Sequence, residues 1–160
     1  MATTIHPLVA TLTTLLCREG GPFSRPEDRP LHQARIEAEF SSGQWVLLTG
    51  DGNKLLGWLA WYRCDDETFE ALKQLKGDQW AIDQRMTWLD EGPNLFLTDT
   101  VVAPWAPSWT YRRLYELAKA RNPDAQVVGA WMIKRDGEYF HEREMKWVLE
   151  KAKAPKAAAL

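Results

Sequence analysis

Two apolar runs rich in β-forming residues, 44–49 (QWVLLT) and 54–62 (KLLGWLAWY), flank Gly50-Asp51-Gly52-Asn53. Turn chemistry between such runs predicts a β-hairpin and excludes an all-helical chain. Helical spacing precedes it twice. Leu8, Leu12, Leu15 and Leu16 predict a helix over 5–19 that stops at Gly20-Gly21, and Leu31, Ile36 and Phe40 predict a short one over 31–40 that stops at Ser41-Ser42-Gly43. Between them, 20–30 (GGPFSRPEDRP) carries three prolines and two glycines and predicts an extended surface segment. After the hairpin, 65–75 reads as a helix capped from Cys64-Asp65-Asp66, and 94–103 as a buried strand ending at Pro104. Ser108 then caps a helix carrying Tyr111, Leu114, Tyr115 and Ala118, which Asn122-Pro123 ends. Segments 126–134 and 138–149, joined by Arg135-Asp136-Gly137, read as a second hairpin, with helix as the alternative for the last part.

This order predicts an α+β fold, an α/β sandwich with helices over a mixed sheet. At 160 residues the chain is long enough to bury roughly 70% of its unfolded surface. One domain over 1–150 followed by a frayed tail over 151–160 is therefore expected. With 45% hydrophobic and 26% charged residues, composition excludes disorder, collagen and small disulfide scaffolds. No apolar run approaches the roughly 20 residues of a membrane span, and no basic n-region precedes an apolar stretch, so a soluble cytoplasmic protein is expected. Cys17 and Cys64 lack disulfide or metal spacing and read as buried thiols.

Charge is uneven along the chain. Residues 1–106 hold 9 Lys+Arg against 15 Asp+Glu, and 107–160 hold 11 against 7, so −6 is joined to +4. Either an acidic partner docks on the second half or Lys151, Lys153 and Lys156 simply make a basic tail. The nine tryptophans also have two readings, aromatic core walls or an interaction surface.

Candidate chemistry is sparse. The turn after the 94–103 strand, 104–110 (PWAPSWT), has two prolines and no glycine, so a phosphate cradle is not expected there. Asp99 sits within an otherwise apolar strand and demands either a buried Arg or His partner, or a role as acid, base or orienter. His6 adjoins Pro7 and His141 lies among glutamates, which leaves His32 as the best general-base candidate. No Ser/His/Asp elbow or HExxH motif is present. Basic and aromatic residues interleave in WTYRRLY, but the acidic balance weighs against nucleic acid.

Several segments together resemble the RTX toxin-activating lysine acyltransferases, a branch of the GNAT-like fold. The likeness begins near Gly21-Pro22-Phe23 and runs through the hairpin QWVLLTGDGNKLLGWLAW, the helix ETFEAL, the strand FLTDTVVAPW and the helix ending Arg121-Asn122-Pro123, covering about residues 21–135. It implies a mostly antiparallel mixed sheet flanked by helices, and transfer of a fatty acyl group from acyl-carrier protein, or acyl-CoA, to a protein lysine. The carrier brings its own phosphopantetheine, so no tightly bound cofactor or metal is implied. Asp99 matches the family's catalytic aspartate, with one extra residue before Ala-Pro. Ser24 holds the place of the family's catalytic histidine, and His32 lies eight residues further on. On this resemblance His32 deprotonates the amine, Asp99 orients it, and Arg112 and Arg113 help dock an acidic carrier. The second reading is a catalytically silent protein-binding module on the same fold, such as a phage or mobile-element accessory or virion protein.

Overall fold

The computed structural model describes residues 4–19, 23, 25–74, 91–133 and 140–144. Pro7–Leu16 forms helix α1, with the His6 imidazole accepting from the Leu8 N–H at 3.1 Å. It ends before Glu19 because Cys17 leaves helical geometry and Arg18 donates back to the Leu15 carbonyl. Helix α2, Arg29–Ser42, follows a short 3-10 turn at Pro26–Asp28 and starts two residues earlier than its apolar spacing suggests. Pro30 lies in the first turn, where its missing N–H costs nothing. Gly43, at φ 72°, stops the helix as expected.

Strands β1 (Trp45–Thr49) and β2 (Leu55–Cys64) make the antiparallel hairpin. Helix α3, Asp66–Gln74, is capped by Asp65, whose carboxylate accepts from the Thr68 N–H at 2.7 Å. Strand β3 is Asn94–Val102, helix α4 Thr110–Arg121, and strands β4 and β5 are Val127–Ile133 and Phe140–Glu144. Ser108 does not cap α4. The Thr110 N–H bonds to the Pro107 carbonyl, and this turn makes Trp109 the flanking residue, with no side-chain cap. The second hairpin pairs antiparallel as expected, while its turn at 135–137, residues 145–149 and the 151–160 tail lie outside the described residues.

The α+β expectation holds: the five strands of the described residues lie in the order β1-β2-β3-β4-β5, antiparallel except for β3 and β4. That parallel pair is joined by α4 as a crossover. Helices α1 and α2 pack Val9, Leu12, Leu16 and Ile36 against Trp58, Ala60, Val101 and Ala103 on one face, which α3 extends with Phe69 and Leu72 against Tyr62 and Phe96. Helix α4 covers the other face, setting Leu114 and Ala118 against Leu59, Trp61, Leu95 and Leu97. Each large side chain so buried contributes on the order of 1.5–3 kcal/mol. The approach is close on both faces. A Cβ on Gly57 would lie 2.8 Å from Leu114, and one on Gly129 would lie 2.6 Å from the Phe69 ring.

At the free edge of the sheet, Arg121 reaches back from the end of α4 to the carbonyls of Gly43 and Trp45, both at 3.3 Å, and lies over the Trp61 ring. Among the described residues no helix is long and apolar enough to cross a membrane. Both thiols are free; Cys64 is buried, which pushes its pKa up to about 12, while Cys17 is only half-buried.

Candidate functional site

One irregularity in β3 creates the site. Ala60 pairs with Asp99 and the next residue, Trp61, pairs with Leu97, so Thr98 is an extra residue bulged out of the ladder. Strand side chains alternate between faces, and a one-residue insertion reverses the alternation. Leu95 and Leu97 therefore face α4, whereas Val101 and Ala103 face α1 and α2. Asp99 turns with them. Without the bulge its carboxylate would point into the leucines under α4.

On the side where it points, α2 presents His32, Arg35, Ile36 and Glu39 as its buried stripe. Arg35 grips Asp99 with two bonds, Nε to Oδ2 at 2.6 Å and Nη2 to Oδ1 at 3.1 Å. Its Nη1 lies 2.9 Å from His32 Nδ1. A guanidinium only donates, so Nδ1 is the acceptor and the ring proton sits on Nε2. Phe23 packs against the His32 ring, tilted by 42° with centroids 4.4 Å apart, and lies under the guanidinium at 5.6 Å. Solvent barely reaches the cluster, with relative exposures of 3% for His32, 3% for Arg35, 0% for Glu39 and 5% for Asp99.

These surroundings set the protonation states. Burial alone would raise the Asp99 pKa, but the Arg35 charge and the hydrogen bonding around the carboxylate reverse this and hold it below its usual value. Glu39 goes the opposite way: burial, then the negative charge of Asp99, raise it well above the carboxylate range. Its carboxyl lies beside Asp99 and Thr98, yet neither oxygen makes a well-aligned hydrogen bond. His32 falls to about 4, through burial first and the Arg35 charge second.

The His32 shift predicts an acid limb of stability. Folding favours the neutral ring, so the unfolded chain binds more protons between pH 6.5 and about 4. His32's contribution is complete above 6.5 and is lost as pH falls toward 4, by about 2–3 kcal/mol at about 1.4 kcal/mol per unit. Glu39, whose pKa moves the other way, acts in the opposite sense over this interval, so the loss is read against His32→Gln, which retains an acceptor for Arg35 but does not titrate: the urea midpoint of the native chain should fall relative to that variant as pH drops.

The second element of the site is backbone. Strands β3 and β4 pair from Asn94 with Val127 to Leu97 with Ala130 and then part, although both strands continue. The Ala103 N–H bonds to Leu56 on β2, so by alternation the backbone groups of Thr100 and Val102 face the β4 side. Among the described residues nothing pairs with that stretch. A crevice beyond the parallel pairing, at the carboxyl end of a strand that leads into a crossover helix, is a common place for a ligand in such sheets. Around this end of β3 lie the exposed Trp105 and Trp109, at 48% and 53%, with Lys54 Nζ 4.7 Å above the Trp105 ring. Trp58 and Trp61 are core, so the tryptophans serve both as wall and as surface.

The structure thus brings His32 and Asp99 together through Arg35. Arg112 and Arg113 lie apart from that cluster, exposed on the first turn of α4, each paired with Glu116 at 3.4 and 3.3 Å. Ser24 lies outside the described residues. Sequence reading missed Arg35 and Glu39, although their spacing with His32 marks one helix face. Among the described residues no three His, Cys, Asp or Glu side chains converge as a metal site would require. Compared with known protein families and with curated proteins, the chain matches none.

Proposed function

We propose that the chain binds an acyl thioester along the open edge of β3 and passes the acyl group from acyl-carrier protein, or acyl-CoA, to a protein lysine. The observation that supports this is the parting of β3 from β4 after Leu97, beside the bulge that aims Asp99. An extended pantetheine arm carries amides, and an unpaired strand edge accepts such an arm as it would an added strand. In the transfer the lysine nitrogen attacks the thioester carbonyl, the C–S bond breaks, and the proton lost by the amine ends on the departing thiol. His32 takes up that proton only if Arg35 first releases Nδ1, because Nε2 already carries one. Arg112 and Arg113 would meet the acidic carrier from the rim. This reading carries a cytoplasmic location with it.

The closed state of the His32–Arg35–Asp99 cluster favours a second reading, a catalytically silent protein-binding module, for instance of a phage or mobile element, that uses its exposed tryptophans. Incubation with acyl-carrier protein loaded with different chains, followed by intact-mass measurement of both proteins, separates the two. The transferase reading expects acyl mass to leave the carrier and appear on lysine. It also expects His32→Ala to slow transfer by about 10²- to 10⁴-fold. Charge reversal at Arg112 and Arg113 should weaken carrier docking most at low salt. A carrier that keeps its acyl group under all conditions overturns the transferase reading.

A further inference from the structure

We propose that Glu39 is a proton-holding latch on the β3 bulge, its neutral carboxylic acid letting Asp99 and Thr98 lie against it, and the loss of its proton releasing that stretch of strand. The inference does not require acyl transfer. It rests on two carboxyl groups sharing one dry space with one guanidinium. Arg35 commits two of its donors to Asp99 and a third to His32. Glu39, one turn further along α2, is fully buried against Asp99 and Thr98, and among the described residues neither of its oxygens, nor the buried Thr98 hydroxyl beside it, makes a well-aligned hydrogen bond. An ionised carboxylate in that position would be desolvated and next to a like charge, with the nearby guanidinium already bound to Asp99, a state that buried groups avoid by keeping the proton.

The titratable and charged groups around Glu39 are Asp99 on β3, Arg35 on its own helix, His32 beyond Arg35, and the Cys17 thiol at the end of α1, which senses both Arg35 and Asp99. Among these, His32 is neutral in the folded chain and sheds the rest of its unfolded-state charge just above pH 6.5, a small change that opposes the Glu39 slope, and an unfolded thiol ionises only near pH 8.5. Glu39 acts from its unfolded value of about 4.3 upward, and the interval between about 6.5 and 8.5 is where the other groups contribute least. A folded-state pKa above the unfolded value means stability is greatest below the unfolded pKa and declines as pH rises toward the folded one.

Two measurements on the whole chain test this. Carbon-13 NMR of the Glu39 carboxyl should show the protonated form at neutral pH. Urea midpoints should fall from pH 6.5 to 8, together with the hydrogen-exchange protection of the Asp99 and Val101 amides, which face β2. Glu39→Gln, isosteric and permanently neutral, should remove both trends and give the higher midpoint at pH 8. A Glu39 carboxyl that titrates near the ordinary value of about 4.3 overturns the proposal. So does a Glu39→Gln chain that keeps the native slope; if that variant does not fold, the carboxyl titration of the native chain decides alone.

Discussion

Arg35→Met should lower the folding stability of this chain by about 3–5 kcal/mol, because it leaves the Asp99 carboxylate buried without its counter-charge. The size follows from asymmetry. Forming the pair dehydrates two ions and gains little net, but removing one partner leaves the other ion's dehydration uncompensated. Natural domains hold only about 5–15 kcal/mol in total, so the variant should unfold at markedly lower urea. The double variant Arg35→Met/Asp99→Leu should recover most of the loss, since apolar residues of similar volume replace buried ion pairs at little cost. A loss below about 1 kcal/mol for Arg35→Met would show that Asp99 reaches water or takes up a proton at no cost, and would remove the electrostatic basis of the site.

Trp58→Ala should cost a comparable amount, about 3–5 kcal/mol, through the void it leaves. Trp58 is fully buried between β2 and the α1–α2 layer, packed with Trp45 and the residues around Val101. Its indole N–H has no hydrogen-bond partner among the described residues, so the residue stabilises chiefly by volume and shape. Trp58→Phe should therefore be far milder: it loses part of the volume but also removes an unpaired buried donor. Denaturant midpoints for the two variants give the comparison, and equal losses would contradict it.

The fold was largely legible because period and punctuation carry it. The hairpin, the strand before Pro104 and the helix ending at Asn122 follow from residue order alone, with bounds shifted by one to three residues. Two features escaped for one physical reason, that burial inverts the ordinary meaning of charge. Arg35 and Glu39 read as solvent-facing residues among Leu31, Ile36 and Phe40, yet Arg35 and Glu39 are buried while Leu31 and Phe40 are only partly so. Asp99 pointed to a buried Arg or His, and the structure supplies Arg35 from 64 residues away, with His32 behind it. Nothing local in the sequence announces the Thr98 bulge, because an inserted residue has no composition of its own; it becomes visible only when Ala60 and Trp61 fix the register of the facing strand.

The contact of Arg121 with β1 bears on how this chain behaves in a crowd. The strand Trp45–Thr49 has no charged residue and ends the sheet, which makes it the kind of edge on which neighbouring chains grow a continuous sheet. A guanidinium across its first outward carbonyls denies an incoming strand its opening bonds and places a hydrated charge where it would have to dock. Because that charge is delivered by the end of α4, protection against aggregation depends on a helix 76 residues away in sequence. Any partial opening that lifts α4 would uncover a sticky edge and the leucine face behind it in the same step.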